Sequence, residues 1–143
     1  MLQVKLFTLY PDLFPGLLDV GIYKKARENK KWSLEVINIR DYAFDSNRTV
    51  DDTPFGGGSG MLLKPDVVAA AIDKNVTSKD KIIYLSPKGK KLDQHTIKSF
   101  SKLKNINILC LDDYTENFLN LNFKNISTYN IKNLETKYNL HNI

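Results

Sequence analysis

Arg48, Asp51 and Asp52, followed by Gly56, Gly57, Gly58 and Gly60, are the residues of this 143-residue sequence whose types and spacing could do chemistry. Arg48 offers a planar fork of donors that matches phosphate, and the two aspartates can accept hydrogen bonds from amino or guanidino groups. Four of the seven glycines fall between Gly56 and Gly60, where a packed helix or strand would be weakened by each of them. Backbone without Cβ atoms can take left-handed conformations and present successive N–H groups to an anion or a flat ring. The combination leans toward a polyanionic or nucleobase ligand. A flexible linker is the plainer reading of a glycine-rich run. It is disfavoured here because Val50 and Pro54 on one side, with Met61, Leu62 and Leu63 on the other, bracket the run with restricted or apolar residues.

The elements that must position this loop follow from periodicity. Leu2 to Leu9 alternates apolar and polar and predicts a first strand. Asp12 can cap a helix running to about Lys30, with Leu13, Leu17, Val20 and Ala26 as its apolar face and Pro15 and Gly21 in its early turns. Trp32 to Ile39 predicts a second strand, with Leu34, Val36, Ile37 and Ile39 as candidate buried positions. After the glycine loop, Lys64 to Asn75 predicts a helix with Pro65 in its first turn and Val67, Val68, Ala70, Ala71 and Ile72 at helical spacing. Lys81 to Ser86 reads as a buried strand stopped by Pro87, which cannot donate to a ladder. Leu92 to Leu103 reads as a helix and Ile106 to Leu109 as another strand. This alternation predicts an α/β fold, with a mostly parallel sheet and flanking helices. Ligands of such sheets bind at the carboxyl ends of the strands, which makes Tyr84 to Lys88 and the region after Cys110 a candidate ligand edge.

The net charge of +5, with a pI near 9.2, suits a polyanionic partner. Residues from 111 onward hold Lys124, Lys132 and Lys137 against Asp112, Asp113, Glu116 and Glu135, so the first 110 residues carry +6. Cys110 is the lone cysteine and there are two histidines, which predicts neither a disulfide nor a metal site. The amino terminus lacks a basic segment followed by a long apolar run, and no stretch approaches a membrane span. A cytoplasmic protein is expected. The 33 residues after Cys110 contain no glycine or proline and are rich in asparagine. They read either as an edge strand around Leu119 to Ile126 with a short helix, or as a poorly ordered end.

Arg48 Thr49 Val50 Asp51 Asp52, then Pro54, Gly56 Gly57 Gly58 and Gly60 Met61, closely resembles the signature of bacterial tRNA (guanine-N1)-methyltransferases acting at position 37. The resemblance extends to Leu9 Tyr10 Pro11 Asp12 Leu13 Phe14 and to Ile83 Tyr84 Leu85 Ser86 Pro87 with Gly89, Lys91, Leu92, Asp93 and Gln94, in order over about the first 110 residues. It implies an S-adenosylmethionine-dependent enzyme of the trefoil-knotted α/β class, a homodimer with active sites between subunits. By position, it implies that Tyr84, Leu85 and Pro87 wall the methyl donor. Arg48, Asp51 and the loop glycines Gly56, Gly57, Gly58 and Gly60 fall on the tRNA and target-base side. Phe55 stands where the family usually has tyrosine.

The match to the family pattern changes at Cys110. Where the family continues into a Gly Arg Tyr Glu Gly loop, this chain reads Leu111 Asp112 Asp113 Tyr114 Thr115 Glu116 Asn117, and no glycine follows Gly89. The expectation is a methyltransferase-like domain over 1–110, a divergent tail over 111–143, an incomplete knot and no helical domain to supply the general base. No catalytic residue is assigned. A truncated product, read out of frame after Cys110, is the expected origin, and an inactive or weakly tRNA-binding remnant is the alternative to an enzyme.

Overall fold

The computed structural model describes residues 1–53, 57, 62–109 and 123–130, with the side chains of Pro87 and Asn130 excepted. Five parallel strands form the main sheet: β1 (Leu2–Thr8), β2 (Trp32–Asn38), β5 (Lys81–Lys91), β6 (Asn105–Leu109) and β7 (Ile126–Asn130), in the order β2-β1-β6-β5-β7. β3 (Asp51–Asp52) and β4 (Leu62–Leu63) pair antiparallel as a separate ribbon. Three helices connect the strands: α1 (Gly21–Glu28), α2 (Pro65–Asn75) and α3 (Gln94–Phe100). The α/β class with a mostly parallel sheet is thus as expected.

Right-handed crossovers decide which face each helix covers. The links β1 to β2 and β5 to β6 step the same way across the sheet, and the link β2 to β5 steps back. α2 therefore covers the face opposite to α1 and α3. The core lies under α2, whose Val67, Val68, Ala71 and Ile72 pack with Phe7, Ile37, Ile82, Tyr84 and Leu109 of the strands. On the other face the Phe100 ring of α3 meets Tyr129 of β7 edge-on, with centroids 5.4 Å apart.

Three local expectations are corrected. The stretch predicted as a helix from Asp12 to Lys30 is two short 3-10 turns, Pro11–Leu13 and Gly16–Asp19, before α1 begins. Pro15 removes a helical donor and restricts Phe14, and Gly21 takes φ +56°. Leu13, Leu17 and Val20 consequently face outward, Leu17 at 85% exposure. β5 does not stop at Pro87 but extends to Lys91. Its pairing with β7 jumps, so that Leu85 and then Lys90 both oppose Tyr129. Pro87 lies inside this jump, where the ladder asks no donor of it. α3 is shorter than its predicted span and starts behind an Asp93 cap, whose carboxylate accepts from the Thr96 N–H at 2.7 Å. In the tail, the described strand is β7, an edge strand that shares Ile126 with the predicted Leu119 to Ile126 and belongs to the same sheet as residues 2–109; residues 119–122 lie outside the described residues.

Candidate functional site

All five strands of the sheet point one way, so their carboxyl ends share one edge. Register places Phe7, Ile37, Leu109, Tyr84 and Thr128 in a single row across it. Thr8, Asn38 and Leu85 form the next row, at the edge itself. The chain leaves β1 toward β2 and leaves β6 toward β7 on the far side. The order therefore reverses between β1 and β6, the position where open α/β sheets place their ligands. Leu9 to Tyr10, Leu85 to Gly89 and the long connection after β2 all start from this edge.

That connection carries the glycine loop, and its base is built. Val50 is fully buried and Leu63 nearly so, both within the core under α2. Between them the β3–β4 ribbon pairs Asp51 with Leu63 and Asp52 with Leu62, and the Lys64 N–H donates to the Val50 carbonyl at 2.6 Å. The apolar brackets visible in the sequence are thus anchors. Gly57 takes φ +79°, the left-handed conformation that glycine tolerates without cost. Gly56, Gly58 and Gly60 lie outside the described residues.

Arg48 is also left-handed, at φ +54°. Asp45 sets that turn. Its carbonyl accepts from the Arg48 N–H at 3.1 Å, and its carboxylate accepts from the Thr49 N–H at 2.9 Å and hydroxyl at 2.6 Å. The hydroxyl and N–H of Thr49 hold the Asp45 carboxyl below its ordinary range. The exposed Arg48 guanidinium reaches Asp41 Oδ1 at 3.1 Å. Such an exposed pair is worth little, so a phosphate can take the guanidinium from Asp41. Asp45 and Asp41 were missed as site residues, although an aspartate four residues before a threonine in a turn-rich stretch is a readable signal.

Tyr84 is fully buried, its ring part of the core. Leu85 is half-buried at the edge. Residues 86–89 fall within the register jump between Leu85 and Lys90, with Ser86 Oγ accepting from the Lys88 N–H at 3.2 Å. Of the residues expected to wall a donor, Tyr84 has its side chain in the core and Leu85 lies half-buried at the edge, while the Pro87 side chain lies outside the described residues. No group of three or more metal-ligating side chains occurs among the described residues.

The family model described as tRNA (Guanine-1)-methyltransferase TrmD matches residues 2–116, which include the loop, its anchors and the whole of β5. The chain belongs to this family. Proteins named tRNA (guanine-N(1)-)-methyltransferase are similar to it. One from Pelagibacter ubique strain HTCC1062 is 51% identical over 134 residues, covering 94% of this chain and 57% of the relative. One from Wolbachia pipientis subsp. Culex pipiens strain wPip is 44% identical, covering 76% and 47%, and one from Rhodospirillum rubrum is 42% identical, covering 76% and 46%. The chain spans about half the length of these TrmD-family relatives. The Pelagibacter alignment takes in 94% of this chain and so extends well past Cys110. The stretch just after Cys110, where a knot would thread, lies outside the described residues.

Proposed function

We propose that this chain is the N-terminal part of an S-adenosylmethionine-dependent methyltransferase that modifies N1 of guanine 37 in tRNA, working in the cytoplasm as a homodimer. The observation that carries this reading is a glycine loop whose two anchors, Val50 and Leu63, share one core with Tyr84 of β5, just before the register jump between Leu85 and Lys90. The reaction class is supported by similarity to proteins named tRNA (guanine-N(1)-)-methyltransferase.

The residues present fit one side of a methyl-donor site. Leu85 to Gly89 would hold the donor through backbone groups, a fit suited to the flat adenine and ribose hydroxyls of S-adenosylmethionine. When bound, that cofactor supplies an electrophilic methyl group. Arg48 and Asp51, with Gly56, Gly57, Gly58 and Gly60, would orient the RNA strand and target base opposite it, so that positioning contributes most of the rate. No carboxylate in residues 1–110 is assigned the N1 proton. Dimerisation draws support from Tyr10, Leu13, Leu17, Val20, Ile22 and Tyr23, a run of outward apolar residues unusual for a lone subunit. No helix among the described residues is long and apolar enough to cross a membrane, which accords with a cytoplasmic site of action.

Calorimetric titration of the folded chain with S-adenosylmethionine tests the proposal. Binding at micromolar strength is expected. Absence of heat at several temperatures would favour the second reading, an RNA-binding part without transferase activity. That reading draws on the chain's spanning only about half of its relatives.

A further inference from the structure

The opposite edge of the sheet, where the strands begin, has a composition of its own. Register aligns Lys31 with Met1, Lys104 with Leu2, Lys79 with Lys104, and Lys124 with Asp80. The Lys31 and Lys104 carbonyls accept from the Leu2 and Gln3 N–H groups at 3.0 and 2.7 Å, so the ladder itself fixes their backbones in this row. Lys30 and Lys102 flank it. These six lysines are exposed, and none is paired with a described carboxylate. Asp80 is the single acidic residue in the connections 29–31, 76–80, 101–104 and 123–125. Its carboxylate is committed to the Asn105 amide at 2.8 Å and the Thr77 N–H at 3.1 Å. The carboxyl edge is mixed by comparison, with Asp12, Asp19, Asp41 and Asp45 against Arg40 and Arg48 in connections 9–20 and 39–50.

Cations on neighbouring strands repel one another, and a row of six lysines against Asp80 alone costs the fold stability unless a polyanion neutralises it. Its shape also suits one. A shallow cleft of about 430 Å³ opens along the β6, β5 and β7 part of the row, lined by Lys79, Lys81, Lys104, Asn105 and Asn125 together with Asp80 and Leu103. Five strands at ~4.8 Å spacing make the row about 19 Å wide, and a seven-residue β1 sets it roughly 20 Å from the candidate site.

We propose that this amino edge is a second RNA-contact surface, gripping phosphates of the same RNA whose target base enters the carboxyl edge. The proposal takes RNA as the polyanion from the function proposed above. Its contacts fix no sequence. They supply salt-sensitive affinity and hold the body of the RNA against the domain.

The test measures fluorescence-anisotropy binding of a transcribed tRNA across a KCl series. It compares the parent chain, the edge variant Lys79→Gln/Lys104→Gln, and the charge-matched variant Lys24→Gln/Lys25→Gln on α1. All four substituted positions are exposed, so folding is retained and circular dichroism verifies it. The edge variant is expected to bind about tenfold more weakly and to flatten the slope of log K against log salt by about 1.5 to 2. The α1 variant should stay near the parent. Equal shifts in both variants, or a parent-like edge variant, would overturn the inference while leaving the proposed function intact. No RNA binding by the parent overturns both, and edge-dependent binding to phosphatidylserine vesicles in preference to RNA overturns the inference as well.

Discussion

Gly57 and Gly89 look alike in the sequence and differ in what they forbid. A Cβ on Gly89 would lie 2.6 Å from the Tyr129 backbone nitrogen and carbonyl carbon, and neither strand can yield without breaking the β5–β7 pairing. Gly89→Ala should cost about 1 to 3 kcal/mol in urea denaturation. Gly57 has open space around it but φ +79°, so Gly57→Ala should cost about 1 to 2 kcal/mol through conformation alone. Three carboxylates carry an acid-stability prediction. Thr49 lowers Asp45, and Thr96 lowers Asp93. At Asp80 burial pushes upward, but the hydrogen bonds from Asn105 and Thr77 outweigh it and leave the group lowered. Depressed folded-state values mean that this stabilisation is complete above the unfolded pKa of about 3.9 and is lost as pH falls through the folded values. Tm should be flat above about pH 5 and fall in acid, and Asp80→Asn should flatten that acid limb. Type and spacing alone singled out Arg48, Asp51 and the loop glycines as candidates. The Asp45 turn that shapes Arg48 was overlooked, its one mark being the aspartate four residues before Thr49.

At the scale of elements, α2 was legible because Pro65 and the Val67, Val68, Ala71, Ile72 spacing agree. The region after Asp12 held two conflicting signals. Leu13, Leu17 and Val20 imitate a helical stripe, while Pro15 and Gly21 interrupt it, and backbone restriction prevailed over periodicity. Pro87 misled in the other direction, since a strand tolerates proline wherever its partner's register jumps. The loop base gives the sharpest test of element-level packing. Leu63→Ala removes a buried anchor beside Val50 and should cost about 2 to 5 kcal/mol by chemical denaturation. S-adenosylmethionine affinity should fall less than RNA affinity, because Leu63 supports the loop and not residues 85–89.

For the molecule as a whole, the sheet order could not be read from one sequence, since helical and strand periods say nothing of which strands become neighbours. The outward apolar run from Tyr10 to Tyr23 emerged only once the predicted helix dissolved into turns. Leu17→Asp should leave monomer stability within about 0.5 kcal/mol, as for other exposed sites. It should shift sedimentation toward the monomer if that run closes the dimer. The strand order also has a consequence in time. β1 lies between β2, which follows it closely, and β6, which begins at Asn105. At about 5 to 20 residues per second of synthesis, the centre of the sheet waits several seconds for its second neighbour. Throughout that interval the nascent β1–β2 pair offers an open edge, and the ribosome, not the finished fold, sets how long it stays bare.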